Sequence, residues 1–153
     1  SVNNPNTEKQ QSQRNKFSTA LNFLKTMTPF VRIGYKNYTK DQSAFNAAMS
    51  YILKNATTGD GANAAIDYNK ALVARGSLAT AVNATVTVES GKASYTWTDN
   101  SGAGDARATD SAMLLAYNKN KKEAVYKVDS ATRSETKAEL ALPTGVMMRW
   151  LFT

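Results

Sequence analysis

Val82-Asn83-Ala84-Thr85-Val86-Thr87-Val88-Glu89-Ser90-Gly91-Lys92-Ala93-Ser94-Tyr95-Thr96-Trp97 is the stretch on which the fold turns. Val82, Ala84, Val86 and Val88 occupy every second position, with Thr85 and Thr87 between them, the period of a half-buried strand. Ser90-Gly91 supplies a tight turn, and Ala93, Tyr95 and Trp97 continue the inward-facing set on the returning strand.

Working outward toward the C-terminus, Ala112 to Tyr117 is apolar at consecutive positions, as a strand buried on both faces would be. Glu123 to Val128 and Lys137 to Leu142 alternate again. Strands at this spacing with polar turns predict an antiparallel β-sandwich of immunoglobulin or fibronectin type III character. No internal repeat is present.

Toward the N-terminus the period changes. Thr57-Thr58-Gly59-Asp60-Gly61 is a strong break, and before it apolar residues recur every three to four positions. Phe17, Leu21, Leu24 and Thr28 form a stripe widened by Ala20 and Met27, and Thr7 with Gln10 offers a capping box, so the spacing predicts a helix from Thr7 to Met27. Thr28-Pro29 ends it and can open another turn, with Pro at the first helical position. Phe30, Ile33, Gly34 and Tyr35 read as a short helical or bent connector. A further helix is expected from Asp41 to Asn55, with Phe45, Ala48, Met49 and Ile52 on one face and Thr39 with Gln42 as its capping box. The expected architecture is therefore α+β: a helical segment over residues 1–60 and a β-sandwich over residues 61–153.

Composition narrows the chemistry. The 153 residues contain no histidine and no cysteine, which removes the commonest general base, the thiol nucleophile and the softest metal ligands. No Ser-x-x-Lys, Gly-x-Ser-x-Gly, phosphate-loop or dinucleotide pattern occurs. No apolar run approaches the ~20 residues of a transmembrane helix. Net charge is +7, and it is uneven: residues 1–60 carry eight basic side chains against Glu8, Asp41 and Asp60. Such a bias suits polyanions, though solvated amphipathic helices produce it as well.

Several phrases, read in order, form a pattern: Asn4-Pro5-Asn6-Thr7 with Gln11, Arg14 and Lys16-Phe17; Ile33-Gly34-Tyr35-Lys36; Ala44-Phe45-Asn46-Ala47-Ala48-Met49-Ser50-Tyr51; Tyr95-Thr96-Trp97-Thr98-Asp99-Asn100; and Ala112-Met113-Leu114-Leu115. Together they resemble a family of short Bacteroidota proteins known only as a domain of unknown function. Members carry a further upstream segment that is similar to small phage structural proteins. The resemblance implies no catalytic residues. The final Val146-Met147-Met148-Arg149-Trp150-Leu151-Phe152-Thr153 does not alternate, where related chains continue into a strand. A frameshift that replaced the final strands, leaving the sandwich incomplete at its C-terminus, is the expectation here.

Four stretches invite a functional reading. Asp99 to Asp110, with Asn100, Gly102, Gly104 and Asp105, suggests a calcium loop by its oxygen content, but its spacing is not that of a calcium loop and Gly and Asp build turns unaided. Lys119-Asn120-Lys121-Lys122, near Tyr117 and Tyr126, suggests phosphate contact or merely a soluble hairpin tip. Trp97 with Tyr95, Tyr117 and Tyr126 suggests a stacking platform, although Trp97 shares the inward parity of Val86 and Val88. The first helix, with Arg14, Lys16 and Lys25 around its stripe, suggests a membrane surface or simple packing. The bland reading is preferred in each case, so no catalytic, cofactor-binding or metal-ligating residue is assigned and no cofactor is expected. The expected function is a non-enzymatic structural or assembly module of a surface, filament or phage-like particle, self-associating or binding another protein, with a lean toward an extracellular or particle-associated location. The alternative is a nucleic-acid-binding module using the basic N-terminal half.

Overall fold

Residues 7–142 and the backbone of residues 147–152 are described by the structure, a computed structural model. The Asn4-Pro5-Asn6 phrase and Val146 lie outside the described residues. The chain divides into two compact units, Ser1–Arg75 and Gly76–Thr153. The boundary expected at residue 60 thus falls inside the first unit.

In the first unit, helix α1 (Glu8–Leu24) starts where Thr7 caps it. The Thr7 hydroxyl accepts from the Gln10 backbone N–H, and the Gln10 side chain accepts from the Thr7 N–H. A 3₁₀ turn, Lys25–Met27, leads into helix α2 (Thr28–Gly34), which opens with Pro29 in its first turn. Helix α3 (Ala44–Asn55) begins later than expected. Its cap is Ser43, whose hydroxyl accepts from Asn46 N–H at 3.0 Å. Asp41 takes a left-handed conformation (φ 61°) that no helix can pass through, so Thr39 and Gln42 form a turn and not a capping box.

The buried stripe of α1 is Ala20, Phe23 and Leu24, continued by Met27 of the 3₁₀ turn. Phe17, expected in that stripe, is 51% exposed. The N-terminal half of α1 is tied to the loop around Asp60 through Ser12 and Lys16, and Phe17 lines an open surface concavity beside Leu53 of α3. α1 and α2 both pack on α3, which buries Ala48, Met49 and Ile52.

Residues 61–75 close this unit. Strand β1 (Thr57–Thr58) pairs antiparallel with β2 (Ala65–Ile66). The chain then lays Ala71, Val73 and Ala74 into the helical core. Tyr35 Oη donates to Leu72 O at 2.6 Å, and Arg75 N–H donates to Gly34 O at 2.8 Å. A Cβ on Gly34 would lie 2.6 Å from Ala74 Cβ, so only glycine permits this approach.

The second unit holds strands β3 (Val82–Glu89), β4 (Lys92–Thr98), β5 (Ser111–Asn118), β6 (Glu123–Thr132), β7 (Lys137–Ala141) and β8 (Met147–Phe152). They form two antiparallel sheets of order β3-β4-β7 and β6-β5-β8. The fold is α+β, as expected. Ala93, Tyr95, Trp97, Ala112, Leu114, Ala116 and Leu140 share one core, with Ala84 and Val86 packed against it. β5 is buried on both faces, as its unbroken apolar run requires.

The β3–β4 hairpin turns at Ser90 and Gly91, both at positive φ (53° and 76°), the mirror-image turn that suits strand twist. Two inward assignments fail: Val88, at the hairpin end of β3, is 51% exposed, and Val82 leaves the inner face. Asn83 (φ 52°) makes a bulge, so Val82 pairs with Thr98 on the outer face and is 40% exposed. Residues 147–152 pair with β5 despite their lack of alternation. The ladder is made by main-chain groups and does not require alternating side chains, which corrects the expectation that the final residues lie outside the strand pattern.

Candidate functional site

Each stretch singled out from the sequence has a defined place in the structure. In the loop between β4 and β5, the Asp99 carboxylate accepts from both the Ser101 N–H (2.9 Å) and the Ser101 hydroxyl. These two bonds hold its carboxyl below the usual range. Asp105 accepts from Ala79 N–H at 3.2 Å, and Asp110 accepts from Arg107 N–H at 2.8 Å. The acidic side chains thus serve different local bonds. Among the described residues no cluster of three or more acidic side chains is placed to hold a metal.

The Lys119–Lys122 run sits at the tip of the β5–β6 hairpin. Buried Asn118 shapes it, its Oδ1 accepting from Asn120 N–H and Lys121 N–H, both at 3.0 Å. The four tip residues are exposed. Trp97 and Tyr95 lie in the core and offer no stacking face to solvent. The apolar stripe of α1 is buried within its own unit apart from Phe17, and among the described residues no helix is long and apolar enough to cross a membrane.

Arg133 is the residue that sequence reasoning missed. It is fully buried, and every guanidinium nitrogen is engaged. Nε and Nη2 each lie 3.0 Å from Asp110 Oδ2, Nη1 donates to Asn100 Oδ1 at 2.7 Å, and Nη2 donates to Ala79 O at 2.9 Å. A buried cation needs such saturation. The cluster ties the β6–β7 crossover to the loop and to the segment before β3. Nothing in the sequence around Arg133 distinguishes it from a surface arginine.

The sheet edges differ in how they are protected. β6 carries Glu123, Lys127 and Asp129, and Lys127 Nζ reaches across to donate to Glu139 O of β7 at 3.1 Å. β7 carries its own Lys137 and Glu139. These charges and the covered carbonyl blunt both edges. β3 has no such guard. Its partner among the described strands is β4 alone, its only charge is terminal Glu89, and Val88 is 51% exposed. Its chemistry is that of an extended template able to accept another strand through main-chain hydrogen bonds.

The chain belongs to a family of unknown function (DUF6266), whose model matches residues 1–148. No curated protein and no solved structure matches it.

Proposed function

We propose that the protein is a non-enzymatic assembly module whose second unit, an immunoglobulin or fibronectin type III-like sandwich, joins a second copy edge to edge through β3. Strand order supports the fold reading: first, second and fifth strands in one sheet, third, fourth and sixth in the other, an order shared with immunoglobulin-like sandwiches. The buried tryptophan differs, lying here on the second strand and not the third.

The observation that carries the functional reading is the Val- and Thr-rich outer edge of β3, charged only at terminal Glu89. Antiparallel pairing of two β3 strands about Val86 sets Glu89 of one copy opposite Asn83 of the other. No like charges meet, so the strand is complementary to itself. The absence of histidine and cysteine from the sequence supports a role without catalysis.

Light scattering across a wide concentration range tests this reading. Association that strengthens with concentration and is abolished by Val88→Lys, with the variant still folded by circular dichroism, is expected. A strict monomer at all concentrations overturns it.

A further inference from the structure

The Arg75 guanidinium lies over two aromatic rings, its Cζ 4.6 Å from the Tyr38 centroid and 4.7 Å from the Tyr51 centroid. Tyr38 comes from the 3₁₀ turn Lys36–Tyr38 and Tyr51 from the middle of α3. The backbone of Arg75 is fixed by its bond to Gly34 O and by the close packing of Ala74 on Gly34. Stacking orients the guanidinium plane and leaves its N–H edge as the reactive face.

That edge has no acceptor: among the described residues neither a carboxylate nor a hydrogen-bond partner meets the Arg75 side chain. It lines a pocket of about 370 Å³ together with Lys54 and Ser50, whose ammonium and hydroxyl are likewise without partners among the described residues. No acidic side chain lines the pocket. Two cations, a hydroxyl and the rims of two tyrosines therefore converge on one concave surface within the first unit. The contrast with Arg133 is instructive, since that arginine is saturated by its own chain.

We propose that this pocket binds a phosphate group, with Arg75 gripping two oxygens through its planar fork and Lys54 supplying the second positive charge. A guanidinium fork matches the spacing of two phosphate oxygens, and such charge-assisted bonds are about twice as strong as neutral ones. The proposal rests on different residues from β3 and stands apart from the assembly reading. The phosphate can come from free inorganic phosphate or from a mononucleotide.

The test is a titration of the whole chain with inorganic phosphate, and separately with AMP, at constant ionic strength, following the Arg75 Nε–Hε and tyrosine ring resonances by NMR. Saturable shifts confined to this pocket are expected. Arg75→Lys keeps the charge but loses the fork and should weaken binding by about tenfold. Lys54→Gln, an exposed change that spares the packing, should weaken it severalfold. Tighter binding of AMP identifies a nucleotide as the source, and equal binding identifies free phosphate; both sustain the site. Shifts that do not saturate, or saturable binding that Lys54→Gln and a folded Arg75→Lys leave unchanged, overturn it.

Discussion

Trp97 Nε1 donates a hydrogen bond to the backbone carbonyl of Arg133 at 2.7 Å, joining the hairpin of one sheet to the crossover that leaves the other. Both residues are buried, so the bond forms away from competing water. Trp97→Phe keeps most of the apolar volume but strands the Arg133 carbonyl. A loss of about 1–3 kcal/mol is expected from urea unfolding. No measurable loss would show that the carbonyl finds another donor.

Breaking the buried ion pair should cost more. Arg133→Ala leaves Asp110 without its main counter-charge in a site only 12% exposed, and about 3–5 kcal/mol is expected. Replacing both partners by apolar residues of similar volume should recover much of that loss, because no uncompensated charge then remains. Chemical denaturation of the two single variants and the double variant tests this. A double variant as unstable as Arg133→Ala would contradict it.

Gly34→Ala tests how residues 71–75 are held. The added methyl would lie 2.6 Å from Ala74 Cβ and 2.7 Å from Val73 O, and the backbone carbonyl cannot swing aside as a side chain would. Overpacking of about 1–3 kcal/mol is expected. Hydrogen exchange should accelerate first at Arg75 N–H, which donates to Gly34 O.

Stability should fall in alkali. Burial pushes the Tyr95 hydroxyl well above the ordinary tyrosine range. It does the same at Tyr35, where it outweighs the opposing pull of Arg75. Each hydroxyl donates to a backbone carbonyl, Leu115 O and Leu72 O respectively. The unfolded chain releases these protons near pH 10 while the folded chain keeps them. Stability is therefore undiminished below about pH 10 and declines as pH rises beyond it. Tyr95→Phe should flatten that decline while lowering stability by about 0.5–1.5 kcal/mol at neutral pH. Denaturation midpoints measured against pH would reveal an equal slope in the variant if the account were wrong.

Much of the fold was legible because local signals agreed with tertiary demands. Thr7 and Gln10 cap α1 as their spacing predicts, and Ser90-Gly91 turns the hairpin where alternation breaks. The misses have a common physical cause, in that tertiary contacts decided them. The bulge at Asn83 moved Val82 to the outer face, a one-residue event that a strict period cannot register. Ala71, Val73 and Ala74 join the helical unit through contacts with distant residues, and they carry no period of their own. Among the site features, the self-complementary edge of β3 is visible in sequence once its position at a sheet margin is known. The Tyr38–Arg75–Tyr51 pocket is not, because residues far apart in the chain meet only through the docking of segment 71–75 on Gly34.

The bonds at Ala79 and Thr80 carry a mechanical implication. Ala79 N–H donates to Asp105, Ala79 O accepts from Arg133, and Thr80 O accepts from Asn100. Tension entering the sheet unit from its N-terminal side is loaded onto these three bonds before it reaches β3. This anchor must rupture before the edge strand can peel, so the unit should resist pulling far better than a bare hairpin.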